Sequence, residues 1–170
     1  MYIRGFKALA LSYQLEKGKA YSCFICSILI MMLSKEEIMK RLEKIYAQIP
    51  DFECKHCHKC CGPIIWFKPE EIIIRDYMKN HNIEHVVWST EEFVKHDMRC
   101  PYLKNDRCVI YPVRPIVCRL QGNVPELLCT QNKNNFISQQ KLDDIKREFD
   151  TFVREIDGID VFYGTRKPKI

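Results

Sequence analysis

The chain has 170 residues, a net charge of +5 and ten cysteines, a size that fits one domain able to bury a modest core without disulfide staples. Most of the charge excess sits in residues 1–33, where Arg4, Lys7, Lys17 and Lys19 face only Glu16. The body is therefore close to balance and makes no case for nucleic acid, and the basic end Arg166-Lys167-Pro168-Lys169 reads as a solvated tail. There are six glycines and no P-loop, no glycine-rich dinucleotide loop and no G-x-S-x-G, so neither a nucleotide cradle nor a serine nucleophile elbow is visible.

In chain order, the first feature is the apolar run Ala20–Leu33, 14 residues long and too short to span a bilayer comfortably. Lys17 and Lys19 precede it as in a signal peptide, but no small-residue cleavage site follows and Ser34-Lys35-Glu36-Glu37 opens a helix at once. Three readings fit residues 1–33: translation from a start codon upstream of the true one, with Met31 and Met32 just before the helix; a membrane-associating leader; or an extra helix. The first is preferred. It leaves residues 34–170 as the functional domain, cytoplasmic and without a membrane contact unless residues 1–33 are genuine.

Ser34 to Ile49 is an amphipathic helix with a Ser34/Glu37 capping box, Ile38, Leu42, Ile45 and Ile49 at helical spacing, and Pro50 as its stop. The cysteine knuckle Cys54-Lys55-His56-Cys57-His58-Lys59-Cys60-Cys61 follows and ends in Gly62-Pro63. Ile64–Phe67 is a short apolar run, a strand or the floor under the knuckle. A helix from about Pro69 to Asn80 starts with Pro in its first turn, and Glu70 and Glu71 complement its dipole. Asn82–Trp88 is irregular, and Ser89 with Glu92 caps a short helix to about His96. Asn105-Asp106 marks a turn, and Val109–Tyr111 is a strand candidate. Pro112 and Pro115 forbid a long element before Cys118, and Gly122 to Asn135 is a polar loop carrying Cys129. The last helix runs from about Ser138 to Ile156 and stops at Asp157-Gly158. The fold class is mostly α, with irregular cysteine-rich loops and short strands, in one small metal-centred domain.

Chemistry concentrates in the cysteines. In a cytoplasmic chain such clusters read as metal or redox groups rather than disulfides. Thiolate is a soft donor that suits Zn²⁺ and iron–sulfur clusters, and Cys-x-x-Cys lets one turn of backbone aim two sulfurs at an ion about 2.3 Å away. Cys54, Cys57 and Cys60 form two such spacings in succession. Three sulfurs from one loop with a distant fourth is the ligand logic of a [4Fe–4S] cluster, and it serves zinc equally. Cys61 directly follows Cys60, and neighbouring residues rarely ligate one ion together, so Cys61 is read as facing a second centre or the core. Cys100, Cys108 and Cys118 supply the second block. The candidate metal ligands are thus Cys54, Cys57, Cys60, Cys61, Cys100, Cys108 and Cys118, more than one tetrahedral site needs. Arg114 and Arg119 flank Cys118 and are assigned to charge compensation near the centre, with a clamp for a substrate anion as the competing role. Cys129 is either a further ligand or a plain thiol, and the lone Cys23/Cys26 pair is read as unrelated.

Among other side chains, His56 and His58 read as exposed or as hydrogen-bond donors behind the ligands, although imidazole could replace a sulfur. His81, His85 and His96 read as surface. Tyr111 reads as core, with its hydroxyl bonded, and Trp66, Phe67 and Trp88 as shielding for the centre.

The two cysteine blocks together resemble the YkgJ-like cysteine-cluster family of zinc- or iron-chelating domains. The resemblance rests on Cys54, Cys57, Cys60 and Cys61, then Cys100-Pro101-Tyr102, then Cys108-Val109-Ile110-Tyr111-Pro112-Val113-Arg114-Pro115-Ile116-Val117-Cys118-Arg119, and spans about residues 50–120. One departure is a two-residue first gap where the family pattern has three. The resemblance implies a Zn²⁺ or [4Fe–4S] domain with an electron-transfer, redox or structural role. It also touches the related flagellin lysine N-methylases, which implies an S-adenosylmethionine-dependent protein lysine methyltransferase as the alternative. The third alternative is a metal-stapled module that docks a protein partner.

Overall fold

The computed structural model describes residues 33–51, 54–129, 131 and 136–158. Cys23, Cys26, the basic end and nearly all of the apolar leader lie outside the described residues. The described architecture is helical with one two-stranded ladder.

Helix α1, Lys35–Tyr46, begins where Ser34 Oγ accepts the Glu37 backbone N–H at 3.1 Å. Acidic Glu36 and Glu37 in its first turn and Lys44 in its last match the helix dipole. The helix ends at Tyr46, ahead of Pro50, because the chain tightens into i→i+3 turns: Gln48 donates to the Ile45 carbonyl at 3.2 Å and Ile49 to that of Tyr46 at 2.9 Å. Helix α2, Lys68–Asn80, opens with Glu70 Oε2 accepting the Phe67 N–H at 3.1 Å. Helix α3, Thr90–Lys95, carries the full Ser89/Glu92 capping box. The short helix α4, Ile116–Leu120, follows Pro115. Helix α5, Gln139–Asp157, starts under the Ser138 hydroxyl and ends at Gly158, whose φ of 68° is the left-handed stop that glycine adopts without a Cβ penalty.

Helices α1, α2 and α5 pack on one another. Their apolar faces build the main core: Ile38, Leu42 and Ile45 from α1, Leu142, Ile145, Phe149, Phe152, Val153 and Ile156 from α5, and Ile116 and Leu120 from α4. Phe67 joins this core, edge-on to Phe149 with ring centroids 5.7 Å apart. It therefore packs among helices rather than shielding the cysteines.

A second, smaller core of Ile74, Met78, Cys100, Tyr102 and Ile110 holds the cysteine lobe, with Cys61, Trp66, Leu103 and Cys108 packed against it. Helix α2 divides the two, sending Ile74 and Met78 into the second core while Ile72 and Ile73 pack on the first. In the lobe, β1 (Leu103–Lys104) pairs antiparallel with β2 (Arg107–Cys108), Leu103 opposite Cys108. Asn105 and Asp106 both take left-handed backbone, φ 47° and 57°, as the tight two-residue turn of a twisted hairpin demands.

Two sequence expectations need correction here. The strand lies at Arg107–Cys108 rather than Val109–Tyr111, and Tyr111–Val113 is a 3-10 turn, since Pro112 lacks the N–H a ladder needs. Tyr111 is exposed rather than core, and the Arg114 guanidinium lies over its ring, 4.1 Å from the centroid. Ile64–Phe67 forms neither a helix nor a strand. No helix among the described residues is long and apolar enough to cross a membrane.

Candidate metal centre

The knuckle is a loop between α1 and α2, shaped by two left-handed residues, His56 (φ 51°) and His58 (φ 59°). The Cys61 N–H donates to the His58 carbonyl and the Gly62 N–H to that of Cys60, both at 3.0 Å. The two cysteine blocks are stitched by main chain, the Cys100 N–H donating to the Cys61 carbonyl at 3.2 Å. The Val109 N–H donates to the Tyr102 carbonyl at 2.9 Å. Tyr102 is itself anchored through its hydroxyl, which accepts the Val86 N–H at 3.1 Å and donates to the Val86 carbonyl at 3.3 Å.

All eight described cysteines are free thiols, so the disulfide reading has no support in this structure. Six of them share one electrostatic neighbourhood. Hydrogen bonding between the adjacent Cys60 and Cys61 thiols holds the Cys60 thiol down at about 7 and drives that of Cys61 up. Cys61 also feels Cys100 and Cys118. Burial pushes Cys100 up to about 12, opposed by the Tyr102 backbone N–H at its sulfur. Burial likewise raises Cys108, opposed by the Ile110 N–H and the Arg114 charge, with Cys54 adding to the rise. Cys118 is raised furthest by burial, then by Cys100, Cys108 and Glu70, and is relieved in part by Arg114. Thiols this crowded and this dry resist ionising one beside another unless a cation joins them. The donor set therefore fits a soft, thiolate-binding metal. No group of three or more His, Cys, Asp or Glu among the described residues is already arranged to hold an ion. The sulfurs are gathered without being closed round one point.

Arg114 is buried beside Cys108 and Cys118, bonded through Nη2 to Asp51 Oδ1 at 3.2 Å, with Nε lacking any partner. Arg119 faces elsewhere. Its Nε donates to the Arg114 carbonyl at 2.9 Å and its Nη2 to that of Pro112 at 3.0 Å, and its guanidinium covers the Tyr46 ring. Trp66 lies 5.6 Å from Tyr102 in the cysteine lobe, while Trp88 stacks on His96 at 4.3 Å along a cleft of about 420 Å³ that Cys100 and Asp106 also line.

Glu70 is the residue that sequence reasoning undervalued. Its carboxyl is fully buried and accepts from the Tyr46 hydroxyl at 2.7 Å, the Ile116 N–H at 2.7 Å and the Phe67 N–H at 3.1 Å. It thereby joins α1, the start of α2 and the start of the helix that carries Cys118. Burial raises it to about 7 against the pull of those three donors. The Phe67-x-x-Glu70 spacing was the available signal, a cap on the backbone without a hydroxyl. Asn123, likewise unforeseen, anchors the chain after α4 by donating to the Pro50 and Arg119 carbonyls, both at 2.9 Å.

This cysteine arrangement is matched by the family model CxxCxxCC, described as "Putative zinc- or iron-chelating domain", over residues 53–147. The chain belongs to the CxxCxxCC family. The match takes in both cysteine blocks and runs into α5, so it extends past the second block into the helical core. Comparison with curated proteins and with solved structures finds no match.

Proposed function

We propose that this CxxCxxCC domain holds Zn²⁺ in a structural role, drawing thiolates from the pool Cys54, Cys57, Cys60, Cys61, Cys100, Cys108 and Cys118, with Arg114 offsetting the anionic charge of the centre. The observation that carries the reading is the meeting of the two blocks: the Cys100 N–H donates to the Cys61 carbonyl at 3.2 Å, Cys61 feels Cys100 and Cys118, and Cys108 feels Cys54. The cysteine lobe has only a small apolar core, the situation in which a structural metal supplies folding free energy. When bound, the ion would supply a positive centre that lets these thiols ionise together and fixes both loops. Arg119, held on carbonyls and over Tyr46, acts in this reading as a brace for the Cys118 turn.

A [4Fe–4S] cluster in a redox role is the second reading, favoured by the C-x2-C-x2-C run of Cys54, Cys57 and Cys60. Anaerobic purification, metal analysis and a visible spectrum decide between them. One zinc per chain and no colour supports the structural ion, and a brown protein absorbing near 400 nm overturns it in favour of the cluster. Cys118→Ser should lose most of the bound metal and Cys129→Ser little. Full metal content in Cys118→Ser would remove the second block from the site.

A further inference from the structure

His58 is the side chain in the knuckle that the thiol set does not account for. It stands between Cys57 and Cys60 on left-handed backbone, φ 59°, a conformation uncommon for any residue with a Cβ. Its ring is mostly enclosed, with a side-chain exposure of 15%, and Nε2 is shut off from solvent with no hydrogen-bond partner. The Asp106 carboxylate stands just beyond bonding range, Oδ1 at 3.6 Å from Nε2. Asp106 is held there by the hairpin turn between β1 and β2, also on left-handed backbone. An imidazole turned inward, with one nitrogen orphaned next to a carboxylate, calls for an explanation.

Metal-binding histidines supply one. Their second ring N–H is characteristically donated to a carboxylate or carbonyl, which fixes the tautomer and orients the ring. We infer that His58 is itself a ligand of the metal, binding through Nδ1 while Nε2–H is held by Asp106. This inference rests on the metal reading above. Two further observations agree with it. Asp106 belongs to the second cysteine block, so a His58–Asp106 bond would tie knuckle to hairpin through side chains as the Cys100 N–H to Cys61 carbonyl bond does through main chain. Three thiolates and one neutral imidazole around Zn²⁺ leave a single negative charge, which the buried guanidinium of Arg114, shared with exposed Asp51, offsets in part.

The test uses the full chain loaded with Zn²⁺ alone, in wild-type, His58→Ala and Asp106→Ala forms, read by zinc-edge X-ray absorption and by competition with a chromophoric chelator. The expected result is an imidazole signature in wild type that His58→Ala loses. Asp106→Ala should keep that signature while binding zinc roughly 10- to 100-fold more weakly. A wild-type spectrum with sulfur ligands alone, or a His58→Ala protein identical to wild type in spectrum and affinity, overturns the inference and leaves the thiolate site standing. Wild-type protein that takes up no zinc overturns both. Because the wild-type spectrum decides by itself, misfolding of either variant does not shelter the inference.

Discussion

The helical core and the cysteine lobe are built on opposite terms. Among the described residues, the first is lined by fifteen buried apolar side chains, drawn mainly from α1 and α5. The second has five, one of them a cysteine, with further thiols at its margin and loops for much of its wall. Burying an aliphatic or aromatic side chain contributes about 1.5–3 kcal/mol, so buried area holds the helices together, with polar links such as Arg41–Glu155 and Glu70–Tyr46 beside it. The lobe leans on hydrogen bonds and, in the proposed function, on a cation. Helix α2 serves both, and the contrast on its two sides indicates which half of the molecule ligand chemistry can govern.

The largest effect that would sharpen this contrast is a cavity on the helical side. Phe149→Ala should cost about 3–5 kcal/mol and lower the denaturation midpoint whether metal is present or chelated. A loss seen only in the metal-loaded protein would mean the two regions are not separable in this way. Next comes chelation itself. Stripping metal should open amide exchange over residues 54–66 and 98–113 while α1 and α5 stay protected, since the opening free energy of a region follows its own packing. Uniform loss of protection would merge the two cores into one cooperative unit.

Glu70 sits between the regions and gives an intermediate effect. Glu70→Gln keeps an acceptor for Tyr46 and Ile116 but turns an amide N–H toward the Phe67 N–H, so about 1–3 kcal/mol should be lost. The pH dependence carries a definite sign. Folded Glu70 titrates near 7 against an ordinary value of 4.5, so its stabilising contribution is complete below 4.5 and is lost as pH rises through about 7. In chelated protein, urea midpoints should fall between pH 5 and 8 for wild type, with a flatter profile for Glu70→Gln. Equal slopes would show that Glu70 does not titrate in this range. The smallest effect is at a helix end: Ser34→Ala should cost about 1 kcal/mol and leave metal content unchanged.

What could be read in advance follows the same division. The helix starts at Ser34, Ser89 and Ser138 and the stop at Gly158 were legible, because a cap is a local bond between residues three or four apart. The apolar stripe Leu142, Ile145, Phe149, Phe152, Val153 and Ile156 was legible because one period fixes one face. The cysteine-cluster family was legible in types and spacings, as the family match over residues 53–147 shows. The strand position was not, because Pro112 and the left-handed pair at Asn105-Asp106 compete over a few residues and periodicity cannot arbitrate so short a run. Tyr111 was misjudged as core because it opens a 3-10 turn that leaves its ring exposed beneath the Arg114 guanidinium. Glu70 stayed hidden because two of its three partners, Tyr46 and Ile116, are far away in the chain. Phe67 was assigned to shielding of the centre because it follows Trp66 in sequence, yet Trp66 lies by Tyr102 while Phe67 packs on Phe149.

The three-way grip of Glu70 also implies an order in time. The turn that presents Cys118 is seated by a bond from the Ile116 N–H to a carboxyl that Tyr46 must also reach. That seat exists only after the first two helices have met. Refolding should therefore assemble helices first and thiols second, and an arriving ion would meet a scaffold already formed rather than recruit one from a loose coil. In stopped-flow refolding, helical signal should recover at the same rate with or without metal, with uptake trailing behind it.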